Sequence, residues 1–428
     1  MKRNRSFPSG PEDYGGRPAG IDSQMDVKVS TEQPRTTELS REPFEFSLVG
    51  GPVDRLFHFL HLSDSNLYFP ARRVAVIIAF TWLPLLLLSF FEGHAMAGDV
   101  QKPFLRDIET HIRLLVALPL LLAGDTLIRR ILDPRVKPFL IRNIVRSDDI
   151  PKFLTAIKSA NRMRDSVAIV LILIVIVYSL GLFIYSRGLA TTSTAWNLIS
   201  DGTAGDFTLA GYWMLFVSVP IFQFFLIRWY LRILNWSVLL WRISRLNLNL
   251  IATHADRNGG IGFLAISSYG FTFFLVAHGA LLSAYIANQV MNHGQDPMGF
   301  KLVATAFVAL FLGMVFIPLT VFTPKLLTAK WKGKGIYGNL ISRYVQGFEG
   351  KWIDGNNPES EELLGTSDIQ SLADIGNSYA VAVQMKLIPL GIYEVTYLTA
   401  YTLAPLVPLL LFIFSLEDLV GKLVSILL

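Results

Sequence analysis

The chain has 428 residues, of which 52% are hydrophobic and 17% charged, with a mean hydropathy of +0.45 and a net charge of +5. That composition argues against a soluble multidomain protein, and with no cysteine the chain has no disulfide, thiolate metal site or cysteine nucleophile. The basic residues cluster beside the apolar runs, which membrane topology explains and nucleic-acid binding does not.

In chain order, residues 1–42 are rich in Pro, Gly, Ser and charge of both signs, the signature of a disordered tail. No short apolar core with a small-residue cleavage site follows, so the first span is expected to act as the insertion signal. Residues 43–73 form an interfacial segment in which Val53, Leu56, Phe57, Phe59, Leu60 and Leu62 recur at near-helical spacing, predicting a short amphipathic helix on a membrane surface.

Seven apolar spans follow: Val74–Phe91, Ile112–Ile128, Val167–Tyr185, Leu209–Leu231 continuing to about Trp241, Phe263–Ala287, Leu302–Phe322 and Leu387–Phe414. They lack the alternation of barrel strands, so the predicted fold is all-α, a polytopic transmembrane helical bundle of six or seven spans with short amphipathic cytoplasmic helices. Residues 74–325 hold spans one to six, 326–386 a cytoplasmic helical segment, and 387–428 the last span with an amphipathic C-terminus. Prolines interrupt the spans at Pro84, Pro119, Pro220, Pro318, Pro405 and Pro408, and the last pair could bend the seventh.

Lys and Arg assign the sides. The tail through Arg73, the basic loop 127–165, the loop around residues 242–261 and the stretch 324–386 carry thirty, whereas the alternate loops carry only Lys102, Arg106, Arg187 and Lys301. Positive charge stays inside, so the amino terminus is expected in the cytoplasm. In the basic loop Val136, Phe139, Leu140 and Ile144 alternate with Arg135, Lys137, Arg142 and Arg146, a pattern read as a helix on anionic lipid headgroups or a docking surface for a cytoplasmic partner. After residue 362, Ser367-Asp368-Ile369-Gln370 reads as a capping box opening another helix.

Candidate functional residues fall in two groups. Within the spans, Arg228 and Arg232 lie one turn apart, beside Trp229, Tyr230 and Trp236. They read either as snorkelling arginines in an interfacial aromatic belt or as part of an anion pathway. Glu394 falls at similar depth in the seventh span and is the expected ion-pair partner. His278 is placed near the middle of a span between Ala277, Gly279 and Ala280, where small neighbours permit close helix packing and the ring can hydrogen-bond or relay protons. The second group is the cytoplasmic loop with His254, Asp256, Arg257, Asn258, Gly259 and Gly260. It suits a proton relay or an anion held by backbone N–H groups, or simply the turn and cap that open the fifth span. One His and one Asp do not make a metal site, and no motif calls for a metal or cofactor. On the opposite side Asp107 and His111, one turn apart, read as a solvated helix start.

The loop Thr253-His254-Ala255-Asp256-Arg257-Asn258-Gly259-Gly260, with the later stretch Leu364–Ser378, resembles a family of uncharacterised bacterial multi-spanning inner-membrane proteins. In that family the loop reads T-H-P-D-R with paired glycines, and Ala255 replaces its proline. The resemblance covers the chain from the amphipathic helix onward; it implies the bacterial inner membrane and brings no activity. The leading reading of function is a channel or transporter for a small ion or solute, as a homo-oligomer or alone. The alternatives are a membrane scaffold or regulatory subunit docking a cytoplasmic protein, and a lipid-active enzyme with His254, Asp256 and Arg257 at the headgroup plane.

Overall fold

The computed structural model describes residues 45–62, 70–96, 102–189, 196–198, 207–355, 363 and 365–412. The expected tail, the loop 356–362 and the C-terminal amphipathic stretch lie outside them.

The protein is an all-α helical bundle. Its elements are α1 (Pro52–Phe59), α2 (Ala71–Phe91), α3 (Ile108–Ile141), α4 (Ile150–Asp165), α5 (Val167–Leu189), α6 (Leu209–Ser244), α7 (Leu264–His293), α8 (Pro297–Ile353), α9 (Ser367–Val383) and α10 (Ile392–Phe412). Among the described residues, α2, α3, α6, α7, α8 and α10 are long and apolar enough to cross a membrane. The third expected span is α5, 23 residues long, whose described apolar stretch is Val167–Ser179.

Several departures from α geometry stand at prolines, whereas Pro84 lies inside the unbroken α-helix α2 and the 3₁₀ segment Ser268–Phe271 of α7 contains no proline. A proline has no N–H and its ring collides with the carbonyl four residues back. In α3 a π-helical segment, Ile112–Ala117, stands just before Pro119, and in α6 another, Met214–Ser218, stands just before Pro220. Pro318 falls in a tight 3₁₀ segment, Ile317–Phe322, and Pro405 and Pro408 turn the end of α10 into a 3₁₀ helix from Ala404. The seventh span is therefore shorter as an α-helix than its apolar run, covering Ile392–Leu403.

α7 is the centre of the bundle: 72% of its most apolar window is buried, against 22% for α2 and 17% for α10. Apolar burial discriminates poorly between helices already in hydrocarbon, so close approach must come from small residues. A Cβ at Gly279 of α7 would overlap the carbonyl oxygen of Thr402 in α10. A Cβ at Gly124 of α3 would likewise overlap the ring of Trp229, whose indole N–H reaches the Leu121 carbonyl at 2.8 Å. The Ala277-His278-Gly279-Ala280 stretch does permit close packing, as its composition implies.

Loops sort onto the two ends as their charge predicts. At the basic end Asn161 donates to Glu45 O at 2.8 Å, Asn247 N to Asp149 at 2.7 Å, and Asn249 N to Ile144 O at 2.7 Å. There Lys386 N also donates to Arg257 O at 2.7 Å, so the four basic segments touch one another. At the opposite end Glu92 accepts from Leu209 N at 2.6 Å and Trp196 N donates to Lys102 O at 3.1 Å.

Three local expectations change. Val136, Phe139, Leu140 and Ile144 are buried within the chain, Phe139 meeting Phe153, Phe263 and Phe322, so their apolar face is covered by protein. Helix α9 starts at Ser367 without a capping box: Thr366 occupies the cap position, makes no side-chain cap bond, and donates its hydroxyl to Leu363 O at 3.1 Å. Asp107 is not solvated but 8% exposed, held by Lys102 at 2.9 Å, by the Thr110 hydroxyl at 2.7 Å and by the Trp196 indole at 3.1 Å. Burial raises its pKa, but the Lys102 charge and these hydrogen bonds more than offset that and hold the carboxyl below its ordinary value.

Candidate functional site

Arg73 opens α2, Asp125 lies on α3 and Arg232 on α6, and the three converge with 6% of each exposed. Arg73 lies 3.2 Å and Arg232 2.6 Å from the Asp125 carboxylate. Arg73 also donates to Leu122 O at 2.6 Å and stands 3.8 Å from Asp54 of α1, which Arg129 approaches to 2.5 Å. Phe57 and Trp229 lie against the guanidinium groups of Arg73 and Arg232, at 4.9 and 5.1 Å. The cluster is extended by Asp133, which accepts from the Ser47 hydroxyl and from Leu48 N, and by Arg228, which donates to Gly50 O at 3.0 Å.

Hydrogen-bond capacity in the cluster is not balanced. Buried polar groups are nearly always paired, because an unpaired one forfeits its bonds to water. Yet, among the described residues, Nε and Nη2 of Arg232 and Nε of Arg73 are buried without a partner. Among the described residues Arg228 has no carboxylate within ion-pair distance, and Arg232 has only Asp125. The arrangement is a positively charged pocket of guanidinium donors, partly neutralised by Asp125 and Asp54, with capacity left for an anion.

The aromatic side chains beside the two arginines pack inward. Trp229 and Trp236 are each 1% exposed and belong to the packed interior. Glu394 is not the partner of these arginines: it lies in the first turn of α10, while Asp125 takes Arg232 and the Gly50 carbonyl takes Arg228. The reading of isolated spans passed over Asp125, although its signal was present as an acid inside the run Leu-Leu-Leu-Ala-Gly-Asp-Thr-Leu.

His278, 3% exposed, sits apart from this cluster. Its Nδ1 is 2.7 Å from Phe274 O and its Nε2 is 2.7 Å from the Tyr230 hydroxyl. A carbonyl only accepts, so Nδ1 carries the proton and, in the neutral ring, Nε2 accepts from Tyr230. Phe311 covers the ring at 4.1 Å between centroids. Both nitrogens are thus engaged within the bundle.

The loop at residues 253–262 is self-contained. Asp256 Oδ1 accepts from Asn258 N at 2.8 Å and Gly260 N at 3.1 Å, and Oδ2 from Gly262 N at 2.8 Å. His254 Nδ1 lies 2.9 Å from Oδ1 and 3.2 Å from Asp256 N, so it donates to the carboxylate when protonated and accepts from the backbone when not. Burial raises the Asp256 pKa, but bonds from Asn258, Gly262 and Gly260, with His254 beside them, outweigh it and keep the carboxyl low. Arg257 takes a left-handed backbone, φ 53°, as do Gly259 at 67° and Gly260 at 98°. The loop is a wound turn in which an Asx-type carboxylate satisfies the backbone N–H groups of the turn itself, ahead of the helix that starts at Leu264.

Among the described residues no group of three or more His, Asp or Glu could hold a metal ion. No protein-family model, curated protein or solved structure matches the chain.

Proposed function

We propose that the protein is an integral membrane channel or transporter for a small ion or solute, with the Arg73–Asp125–Arg232 cluster as its charged station. The observation that carries this reading is Arg232: a guanidinium within a long apolar helix, 6% exposed, with two nitrogens unpartnered. A charge buried within an apolar helix is costly and marks ion or substrate pathways. Helix interruptions at Ile112–Ala117 and Met214–Ser218, on the two helices that supply Asp125 and Arg232, add points where backbone can rearrange. The thirty-to-four distribution of Lys and Arg supports placing the basic end in the cytoplasm, and the resemblance of the 253–260 loop supports a bacterial inner membrane.

The test is flux through proteoliposomes of purified protein, screening anions, cations and protons, with Arg228→Gln and His278→Ala alongside. Flux that depends on Arg228 supports the reading. Absence of flux of every ion from protein shown to be folded sinks it.

A second reading, a scaffold that docks a cytoplasmic protein, is favoured by the part of α8 beyond its membrane-length portion. There Trp331, Ile336 and Leu340 are 69, 54 and 44% exposed, while Tyr344 and Lys351 bind Asp368 of α9. Capture of one protein by the wild type, lost in a Trp331→Ala/Ile336→Ser variant that still inserts, would support it. Unchanged capture would count against it.

A further inference from the structure

Between α5 and α6, against the irregular segment that leads into α1, lies a cavity of about 60 Å³. Arg164, Arg228 and Arg232 line it, and among the described residues no carboxylate does. Its remaining wall is largely apolar, with Val170 and Leu173 on one side and Phe224 on the other. At some 10–15 Å³ per water-sized centre, it has room for roughly four waters or one small oxyanion.

The polar groups at this cavity are not all accounted for by protein. Arg164 bonds Asp165 at 2.7 Å and Ser47 O at 2.9 Å, and Arg228 bonds Gly50 O. Arg232 gives Nη1 to Asp125, while its Nε and Nη2 are buried without a partner. Nε and Nη2 form one edge of the guanidinium, the fork that grips two oxygens of one anion.

From this geometry we propose that the cavity is a binding site for a phosphate group, carried by a lipid headgroup or by a free phosphate or phosphorylated solute. Arginine side chains lining the cavity from α4 and from two turns of α6 suit a tetrahedral group, whose oxygens point in several directions at once. A planar carboxylate offers two oxygens in one plane and can satisfy one fork well, and a halide offers no matching geometry. Phosphate also brings the negative charge that Arg228 lacks, and the apolar wall receives an ester substituent or an acyl chain. The inference rests on the transport reading only where it would name the cargo: the site stands by itself if its occupant is a resident lipid.

The full-length protein, delipidated in a phosphate-free glycoside detergent, is titrated with inorganic phosphate, with binding read by calorimetry. In parallel, native mass spectrometry reads retained lipid from nanodiscs of phosphatidylcholine mixed with phosphatidylglycerol. Arg228→Gln, Arg232→Lys and a control, Lys158→Gln on the exposed face of α4, are carried through both arms. Saturable binding of one probe is expected, weakened at least tenfold in Arg228→Gln and unchanged in Lys158→Gln. Phosphate binding alone assigns the site to a free phosphate or phosphorylated solute; phosphatidylglycerol retention alone assigns it to a headgroup. If neither probe binds, or if Arg228→Gln binds as the wild type does, the proposal is overturned. Should Arg228→Gln misfold, Arg232→Lys, which keeps a cation beside Asp125 but removes the fork, decides in the same way. Flux without binding of either probe would overturn this site and leave transport standing, and binding without flux would do the reverse.

Discussion

Two polar clusters stand at the basic end of this bundle, and they differ in how their hydrogen bonds close. Around Asp256 each carboxylate oxygen is met by backbone N–H groups a few residues away, and the chain needs nothing from outside to satisfy the turn. Around Asp125 the partners come from α2, α3 and α6, and two nitrogens of Arg232 remain unmet. The loop is richer in chemistry-bearing residue types, yet they are consumed by its own backbone. The helical cluster is sparse in sequence, yet it holds the surplus capacity that a ligand can use.

The largest test of this contrast is Asp125→Asn. It leaves Arg232 buried without a counter-charge and Arg73 with only the longer contact to Asp54 at 3.8 Å, and loss of one partner from a buried ion cluster costs about 3–5 kcal/mol. Reversible unfolding in detergent should show a loss of that order. A loss below about 1 kcal/mol would mean that water reaches the cluster and that its burial is not what holds it together.

Next comes Gly124→Ala, which adds a methyl group where the Trp229 ring lies over the Arg232 guanidinium. Overpacking of this kind costs about 1–3 kcal/mol, and displacement of Trp229 should appear as a shift in tryptophan fluorescence. An unchanged spectrum at wild-type stability would show that the ring can move without disturbing the arginine.

Asp256→Asn should cost about 1–2 kcal/mol by weakening charge-assisted bonds to three backbone donors. The native carboxyl titrates below its ordinary value, so its contribution is complete above the unfolded pKa of about 3.9 and is lost as pH falls through the lower, native one. Wild type and Asp256→Asn should therefore converge in stability as the medium is acidified. A constant gap down to low pH would remove the carboxylate from the explanation of the turn.

The smallest effect is assigned to His254→Ala, within about 0.5 kcal/mol, as for a half-exposed side chain whose neighbour is already satisfied. A large effect on flux or lipid composition from this variant would reverse the ranking of the two clusters and restore the loop as a functional site.

The contrast also shows what a one-dimensional reading reaches. Arg228 and Arg232 stood out because charge in an apolar run is anomalous wherever the run folds, but their partner did not. Glu394 matched them in expected depth, whereas Arg232 pairs with Asp125 and Arg228 bonds the Gly50 carbonyl, because depth along a helix says nothing about which helix stands beside it. The aromatic neighbours suggested an interfacial belt by composition, while Trp229 and Trp236 are buried because Gly124 leaves space for one ring and Phe46 covers the other.

The sequence by itself determined that the chain is helical, that long apolar helices make up most of it, and which loops share an end; of its prolines, Pro84 leaves α2 unbroken. Those properties follow from local terms: hydrocarbon demands internally satisfied backbone, and Lys and Arg sort by side. Only the tertiary structure decided that Arg73, Asp125 and Arg232 meet, that His278 closes both its bonds inside the bundle, and that the cavity beside Arg228 contains no carboxylate. Each of those is a relation between helices brought within a few ångströms of one another, and no periodicity along a single helix encodes it.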